Sequence, residues 1–282
     1  MPDPTDDDHH LAGGTDLRSF GRRRGRKISS RQQQLLAELL PRVRVDLASP
    51  PPAPLSSLFS SDCHPGRREI AARAEAKNRI PGTAGVVVTN GSRLAGSDHE
   101  GNPSTGDVWL EIGFGGAEHL LWQAREHPHV GVIGCEPFEE GVVKALSGIE
   151  QHALSNVRIH SDDARDVLRW LPDASIARTF ILFPDPWPKR KHIKRRLINP
   201  RLLTELARVM APGAELRIAT DIGDYARTIL IALQAEPRFT WLAETADDWR
   251  KRPADWPRTR YEEKALREGR RCAFLRLRRC QH

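Results

Sequence analysis

From Asp107 onward the chain alternates between two kinds of segment, and this alternation limits its possible folds more than any other feature. Short apolar runs stand at VWLEIG (108–113), VGVIGCE (130–136), NVRIH (156–160), RTFILF (178–183) and AELRIAT (214–220). Between and after them lie EHLLWQARE, FEEGVVKALSGIEQHA, ARDVLRWL, NPRLLTELARVM and DYARTILIALQAE, each with apolar residues at helical spacing. A short continuous apolar run suits a strand covered on both faces, whereas spacings of three and four place one stripe on a helix. Five strand-then-helix units predict an α/β fold, because parallel neighbours need a crossover and the crossover helix covers the sheet. Two more strands are expected at FTWLAE (239–244) and CAFLRLR (272–278), the second alternating like an edge or antiparallel strand. The expectation is a mostly parallel seven-stranded sheet with helices on both faces.

Upstream, the pattern is different. Residues 1–17 are acidic and aperiodic and are expected to form a disordered tail. Residues 18–47 read as a basic arm followed by a helix in SSRQQQLLAELLPRV, with a serine cap and Pro41 after its last turn. Residues 48–106 are rich in Pro, Gly and Ser and read as a linker or insertion, with a helix at RREIAARAEAKNR and a strand at GVVVT. Residues 107–282 form the α/β domain.

Charge is segregated. Residues 18–31 and 189–201 each hold seven Lys/Arg and no acid, and residues 250–279 hold twelve against four. Those segments together carry +22 within a net charge of +7, so the remainder carries −15. Clustered cations suit a polyanion, whose condensed counterions they release, and nucleic acid is the expected partner. No run approaches the ~20 apolar residues of a membrane span, and the acidic start MPDPTDDDHH does not resemble a secretory signal. Four cysteines without CxxC spacing fit a reducing cytoplasm better than a disulfide framework or a zinc ribbon, and no metal site is expected.

Ligands of such sheets bind beyond the carboxyl ends of the strands. The first strand ends in LEIGFGGAEHL, where Gly113 and Gly115 allow a tight turn into a helix. The dinucleotide fingerprint fails, because Glu118 stands where its last small residue belongs. Glu111 would repel a pyrophosphate and suits a cationic ligand, such as an amino group or a sulfonium. Glu136 follows Gly115 by twenty-one residues, the spacing at which an acid accepts from ribose hydroxyls. Asp162 and Asp163 could receive an adenine amino group, although Asp163 is also placed to cap the helix ARDVLRW. Adenine and ribose contacts without a phosphate cradle, plus an acid near a cation, point to S-adenosylmethionine.

The fourth strand runs into FPDPWPKRKHIKRR. Its prolines impose an extended, stiff excursion and exclude a helix until the basic run is past, holding Asp185 at the sheet's carboxyl edge. Trp187 reads either as a stacking surface for a base or, preferably, as an anchor of that loop. Asp221, in ATDIGDY, reads by itself as a cap on the next helix, and TRYE (259–262) as an irregular surface turn.

Taken in order, RSFGRRRGRK, LEIGFG, GCEP, DARDVL, FPDPWPKRKHIKRR, ATDIGDYA and TRYEEK resemble the bacterial tRNA (guanine-N7)-methyltransferase family over 18–46 and 107–279. The resemblance implies a Rossmann-like S-adenosylmethionine-dependent enzyme that modifies the variable-loop guanine of tRNA; a cytoplasmic monomer is expected. It implies that Glu111, Glu136 and Asp163 contact the cofactor and that Asp185 is catalytic and also touches the cofactor. Lys189 and Asp221 would contact substrate, and Thr259, Arg260, Tyr261 and Glu262 would form a second substrate-binding stretch. Lys191, His192, Ile193, Lys194, Arg195 and Arg196 would be the RNA-contacting run. Ala117 departs from the family's third glycine, with a slightly tighter turn as the expected consequence. A non-catalytic RNA-binding protein of this fold, or a methyltransferase for a small molecule or protein, are the alternative readings.

Overall fold

The sheet is built from β1 (Val108–Ile112), β2 (Gly131–Cys135), β3 (Val157–His160), β4 (Ile176–Leu182), β5 (Met210–Thr220), β6 (Phe239–Trp241) and β7 (Ala273–Arg279). The computed structural model describes residues 28–60 and 106–281. Strand order is β3-β2-β1-β4-β5-β7-β6, with β7 antiparallel to both neighbours and every other pairing parallel. The expected seven-stranded, mostly parallel sheet is present. The alternating strand at the carboxyl end is antiparallel but internal, and the edge is the three-residue β6. Chain order reverses between β1 and β4, so the crevice beyond their carboxyl ends is where a ligand belongs.

The crossover helices are α3 (Glu118–Glu126), α4 (Glu139–Gln151), α5 (Ala164–Trp170), α6 (Pro200–Val209) and α7 (Gly223–Gln234). Before them come α1 (Ser30–Glu38) and α2 (Leu40–Val43); after them come α8 (Asp247–Arg250) and α9 (Arg260–Arg267). Two apolar layers pack on opposite faces. One joins Leu120, Ala124, Val142 and Leu146 of α3 and α4 to Val132, Val157 and Ile159, and α1 closes it with Leu35. The other joins Val167, Leu203, Leu206 and Ile229 of α5 to α7 to Leu110, Ile112, Ile181, Leu216 and Ile218. Along β1 these residues alternate with Glu111, which faces the α3 side.

The amino-terminal helix is capped by Ser29 in a reciprocal box with Gln32. Pro41 follows the last turn of α1, as expected, and lies in the first turn of the four-residue α2, where a proline is tolerated. Residues 48–60 differ from the expected linker: they pack. Leu55 enters the core from a 3₁₀ turn spanning Leu55–Phe59. Phe59 fills the space that a side chain on Gly131 would take, and Arg158 lies 4.9 Å over its ring. Three apolar side chains, Leu55, Leu58 and Phe59, explain the docking, since each buried one contributes about 1.5–3 kcal/mol. Gly106 returns beside Ser56, with 3.7 Å between its Cβ position and Ser56 Oγ. The acidic tail, residues 18–27 of the basic arm, and residues 61–105 with their expected helix and strand lie outside the described residues.

Candidate active site

The turn after β1 is built from left-handed backbone. Gly113 has φ +76° and Gly115 +54°, and Gly113 faces open space with nothing near its Cβ position. Ala117, at the N-cap of α3, also lies in this region with φ +65°. A Cβ there costs roughly 1–2 kcal/mol, so alanine strains the turn, beyond the slight tightening expected.

Glu111 is 2% exposed and has a partner within the chain, 2.8 Å from His119 Nδ1. His119 lies in the first turn of α3, and Gln123 lies one turn later with its amide nitrogen 3.1 Å from His119 Nε2. Periodicity placed these two residues on a helix but gave no sign that they serve the site.

Glu136 directly follows β2 and turns back over the glycine loop. Its carboxylate accepts from Gly115 N at 2.8 Å and from Phe138 N at 2.9 Å. Burial raises its carboxyl above the usual range, opposed by those two backbone donors and raised further by Asp185. A carboxylate offers about four acceptor sites, so two remain for ribose hydroxyls. Gly141 of α4 makes this seating possible, because a Cβ there would stand 2.4 Å from the Gly115 carbonyl oxygen. Asp163 fulfils its capping role, accepting from Arg165 N at 3.0 Å and pairing with Arg165 Nη1 at 2.9 Å.

Asp185 stands between two bulky residues in left-handed conformation, Phe183 at φ +52° and Trp187 at φ +41°. Such angles persist only where surrounding structure imposes them. Phe183 N donates to Ala219 O, tying the start of the loop to β5. Trp187 anchors its end, edge-on to His192 at 5.7 Å and under Arg195 at 5.1 Å. The Asp185 side chain reaches solvent but has protein behind it, and desolvation raises its carboxyl. It has no hydrogen bond or ion pair among the described residues.

Arg196 requires a correction. It was expected to contact RNA, yet it is 2% exposed. Its guanidinium donates to Pro186 O at 2.9 Å, to Thr228 Oγ1 at 2.5 Å and to Asp224, and it stacks 4.8 Å from the Tyr225 ring. It clamps the proline loop to α7. The run before it also differs from expectation, since Arg190–Arg195 forms a 3₁₀ helix directly after Pro188. Lys189, Arg190, Lys191 and Lys194 are exposed with no acid partner among the described residues. Ile193 is exposed, whereas His192 and Arg195 are half-buried against Trp187.

The TRYE stretch is helical, not irregular. Thr259 caps α9 by accepting from Glu262 N, and both are buried. Glu262 accepts from Arg252 Nε at 3.2 Å, and burial raises its carboxyl. These two expected substrate contacts therefore point inward, where their hydrogen bonds are already used. Arg260 and Tyr261 face the cleft. Tyr261 carbons come within 3.0 Å of the Cβ position of Gly115, so its ring lies over the cofactor turn. Arg260 stacks on Tyr261 at 5.0 Å and pairs with Glu118 at 3.6 Å. Asp221 does not cap α7, whose N-cap is Ile222; it accepts from Arg270 Nε at 2.7 Å.

Glu136, Asp185, Gly113, Gly115, Arg260 and Tyr261 thus converge around one edge crevice, with Glu111 beneath it. Asp163 follows β3, and Lys189 stands at the head of the basic run, just before its 3₁₀ helix. Three groups fit an adenosyl cofactor with a cationic end: a glycine turn open to the outside, a ribose-spaced acid, and unpaired acceptors on Asp185 and on Glu111 Oε1. Among the described residues, no group of three His, Cys, Asp or Glu side chains could hold a metal, and no helix is long and apolar enough to cross a membrane.

Residues 105–275 match the family model described as a putative methyltransferase. A tRNA (guanine-N(7)-)-methyltransferase from Chelativorans sp. (strain BNC1) is 42% identical over 91% of this chain and 92% of its own. One from Rhodopseudomonas palustris (strain BisB18) is 40% identical over 99% of this chain and 94% of its own. Another, from Rhodospirillum rubrum, is 41% identical over 94% and 88%. With a ribose-spaced acid, a rigid aspartate and a cationic run at one sheet edge, and with relatives matching nearly end to end, the chain belongs to the tRNA (guanine-N7)-methyltransferase family.

Proposed function

We propose that this chain methylates N7 of the variable-loop guanine at position 46 of tRNA, with S-adenosyl-L-methionine as donor, acting as a monomer in the cytoplasm. The supporting observation is Asp185: a carboxylate without a partner among the described residues, fixed beside Glu136 and followed by exposed, unpaired lysines.

S-adenosylmethionine supplies an electrophilic methyl group on a sulfonium. Glu136 would take its ribose, Glu111 Oε1 its ammonium, and Asp163 with Asp162 its adenine amino group. Guanine N7 carries an in-plane lone pair and needs no deprotonation. The chain's task is alignment, which lowers a barrier by ~7–11 kcal/mol in the best cases. Asp185 accepts hydrogen bonds from the guanine N1–H and exocyclic amino group, selecting guanine over adenine, which has no donor at N1. Its charge also stabilises the positive purine as N7 alkylates. Arg260, Tyr261 and Lys189 line the acceptor side of the cleft, while Asp221, Thr259 and Glu262 hold that wall in place. Lys191, Lys194 and the exposed face of Arg195 follow the phosphates.

Nucleoside mass spectrometry of tRNA from cells with and without the chain tests this reading. Loss of 7-methylguanosine at position 46 alone is the expected result. An unchanged nucleoside profile would remove the assignment.

A further inference from the structure

Beneath the glycine turn, two buried polar residues with no part in the reaction described above stand behind Glu111. Glu111, His119 and Gln123 are each at most 2% exposed, and a helical spacing of four stacks His119 and Gln123 on one face of α3. The Gln123 amide nitrogen lies 3.1 Å from His119 Nε2, and Gln123 Oε1 has no partner. An ionised carboxylate only accepts, so the His119 nitrogen facing Glu111 carries the proton, and the Gln123 amide holds the ring from its other side. Nδ1–H donates to Glu111 Oε2 at 2.8 Å. Phe180 packs edge-on against the imidazole at 4.6 Å and fixes its plane. The other carboxylate oxygen, Glu111 Oε1, has no partner among the described residues and is not sealed from solvent.

We propose that His119 is a positioning residue for the methyl donor: it holds one oxygen of Glu111 so that the other faces the donor's ammonium, and Gln123 packs against the far side of its ring. The inference rests on the reading of Glu111 as the ammonium partner. A carboxylate tethered at one oxygen is preorganised, whereas a free one would pay rotamer entropy on each binding event.

The test titrates two probes into the full-length protein by calorimetry. S-adenosylhomocysteine carries the ammonium, and 5′-methylthioadenosine lacks the whole amino-acid end. His119→Ala should weaken the first about 10- to 100-fold, the range for a hydrogen bond to a charged group, and leave the second within about 3-fold. His119→Asn places an amide nitrogen where Nδ1 stood and should restore most of the loss. It also keeps the test valid if the alanine variant fails to fold. Glu111→Gln should show the same selective loss. If it does and the His119 variants do not, the positioning role is overturned while the Glu111 reading stands. If Glu111→Gln weakens both probes alike, or neither, the Glu111 reading falls and the inference with it. Equal weakening of both probes by His119→Ala, without rescue by asparagine, would reduce His119 to a packing role.

Discussion

Replacing Gly141 with alanine separates helix propensity from the seating of the cofactor turn. Alanine in a helix is favoured over glycine by roughly 1 kcal/mol, so an isolated α4 would gain. In the folded chain the new Cβ would stand 2.4 Å from the Gly115 carbonyl oxygen, 3.0 Å from Glu136 Cγ and 3.3 Å from the Gly115 carbonyl carbon. Two of those neighbours are backbone and cannot swing aside. Restoring even a 3.0 Å contact from 2.4 Å requires the helix or the loop to retreat by 0.6 Å. Overpacking of this kind costs about 1–3 kcal/mol, giving a net destabilisation of about 0–2 kcal/mol. The effect on function should be larger. A misplacement of ~1 Å can cost ~10²-fold, so about 0.6 Å at Glu136 and the turn should weaken S-adenosylhomocysteine on the order of 10-fold. The assay is calorimetric titration beside thermal melting, with Gly148→Ala as control. Gly148 lies on the same helix, but its Cβ would meet the side chain of Leu121, 2.2 Å from its nearer methyl, which can swing aside where the Gly115 backbone cannot. The control should change stability and spare affinity. A Gly141→Ala protein that melts higher and binds normally would refute the reasoning.

Other substitutions probe separate parts of the site. Arg196→Ala removes the clamp between Pro186 O, Thr228 and Asp224; stability should fall by about 2–3 kcal/mol in denaturant titrations and kcat should fall, while S-adenosylhomocysteine affinity holds. An RNA-contacting arginine would instead raise KM for tRNA alone. Lys191→Ala and Lys194→Ala should raise that KM, leave kcat, and each reduce the salt dependence of binding by about one counterion; an unchanged slope would place these exposed lysines away from the phosphates. Ala117→Gly relieves φ +65° and should stabilise the fold by up to about 1 kcal/mol after the entropy cost of glycine, visible as a higher Tm. A lower Tm would show that the turn is not strained.

The sheet was legible because buried parallel strands are written as unbroken apolar runs, and EHLLWQARE matches α3 residue for residue. Glu136 was legible from spacing alone, since a strand end and a turn fix its distance from Gly115. Arg196 was not, because a run of like charges carries no phase; a 3₁₀ helix followed by a turn buries one of its arginines and exposes others. The α9 start did carry a readable sign. Thr259 and Glu262 have the Thr-x-x-Glu spacing of a helix cap, which the surrounding arginines and prolines masked. His119 and Gln123 look like surface residues in a mixed helix, and only the tertiary placement of Glu111 explains their burial. Gly141 gave no sign of its role either, because its contact is with backbone twenty-six residues earlier in the chain. Residues 48–60 were obscured by composition, with prolines and serines surrounding three apolar side chains that dock.

In the proposed reaction the ionised Asp185 carboxylate stabilises the alkylated purine. Single-turnover methyl transfer from labelled S-adenosylmethionine to unmodified tRNA transcript, followed against pH for the wild type and Asp185→Asn, tests it most directly. Desolvation raises this carboxyl, so the wild-type rate should be full above an elevated pKa and fall as pH drops through it, at a point above the ~3.9 of a free aspartate. Asp185→Asn should be slower by about 10²-fold at neutral pH and lack that acid limb. A variant that keeps both the wild-type rate and the limb would contradict the claim.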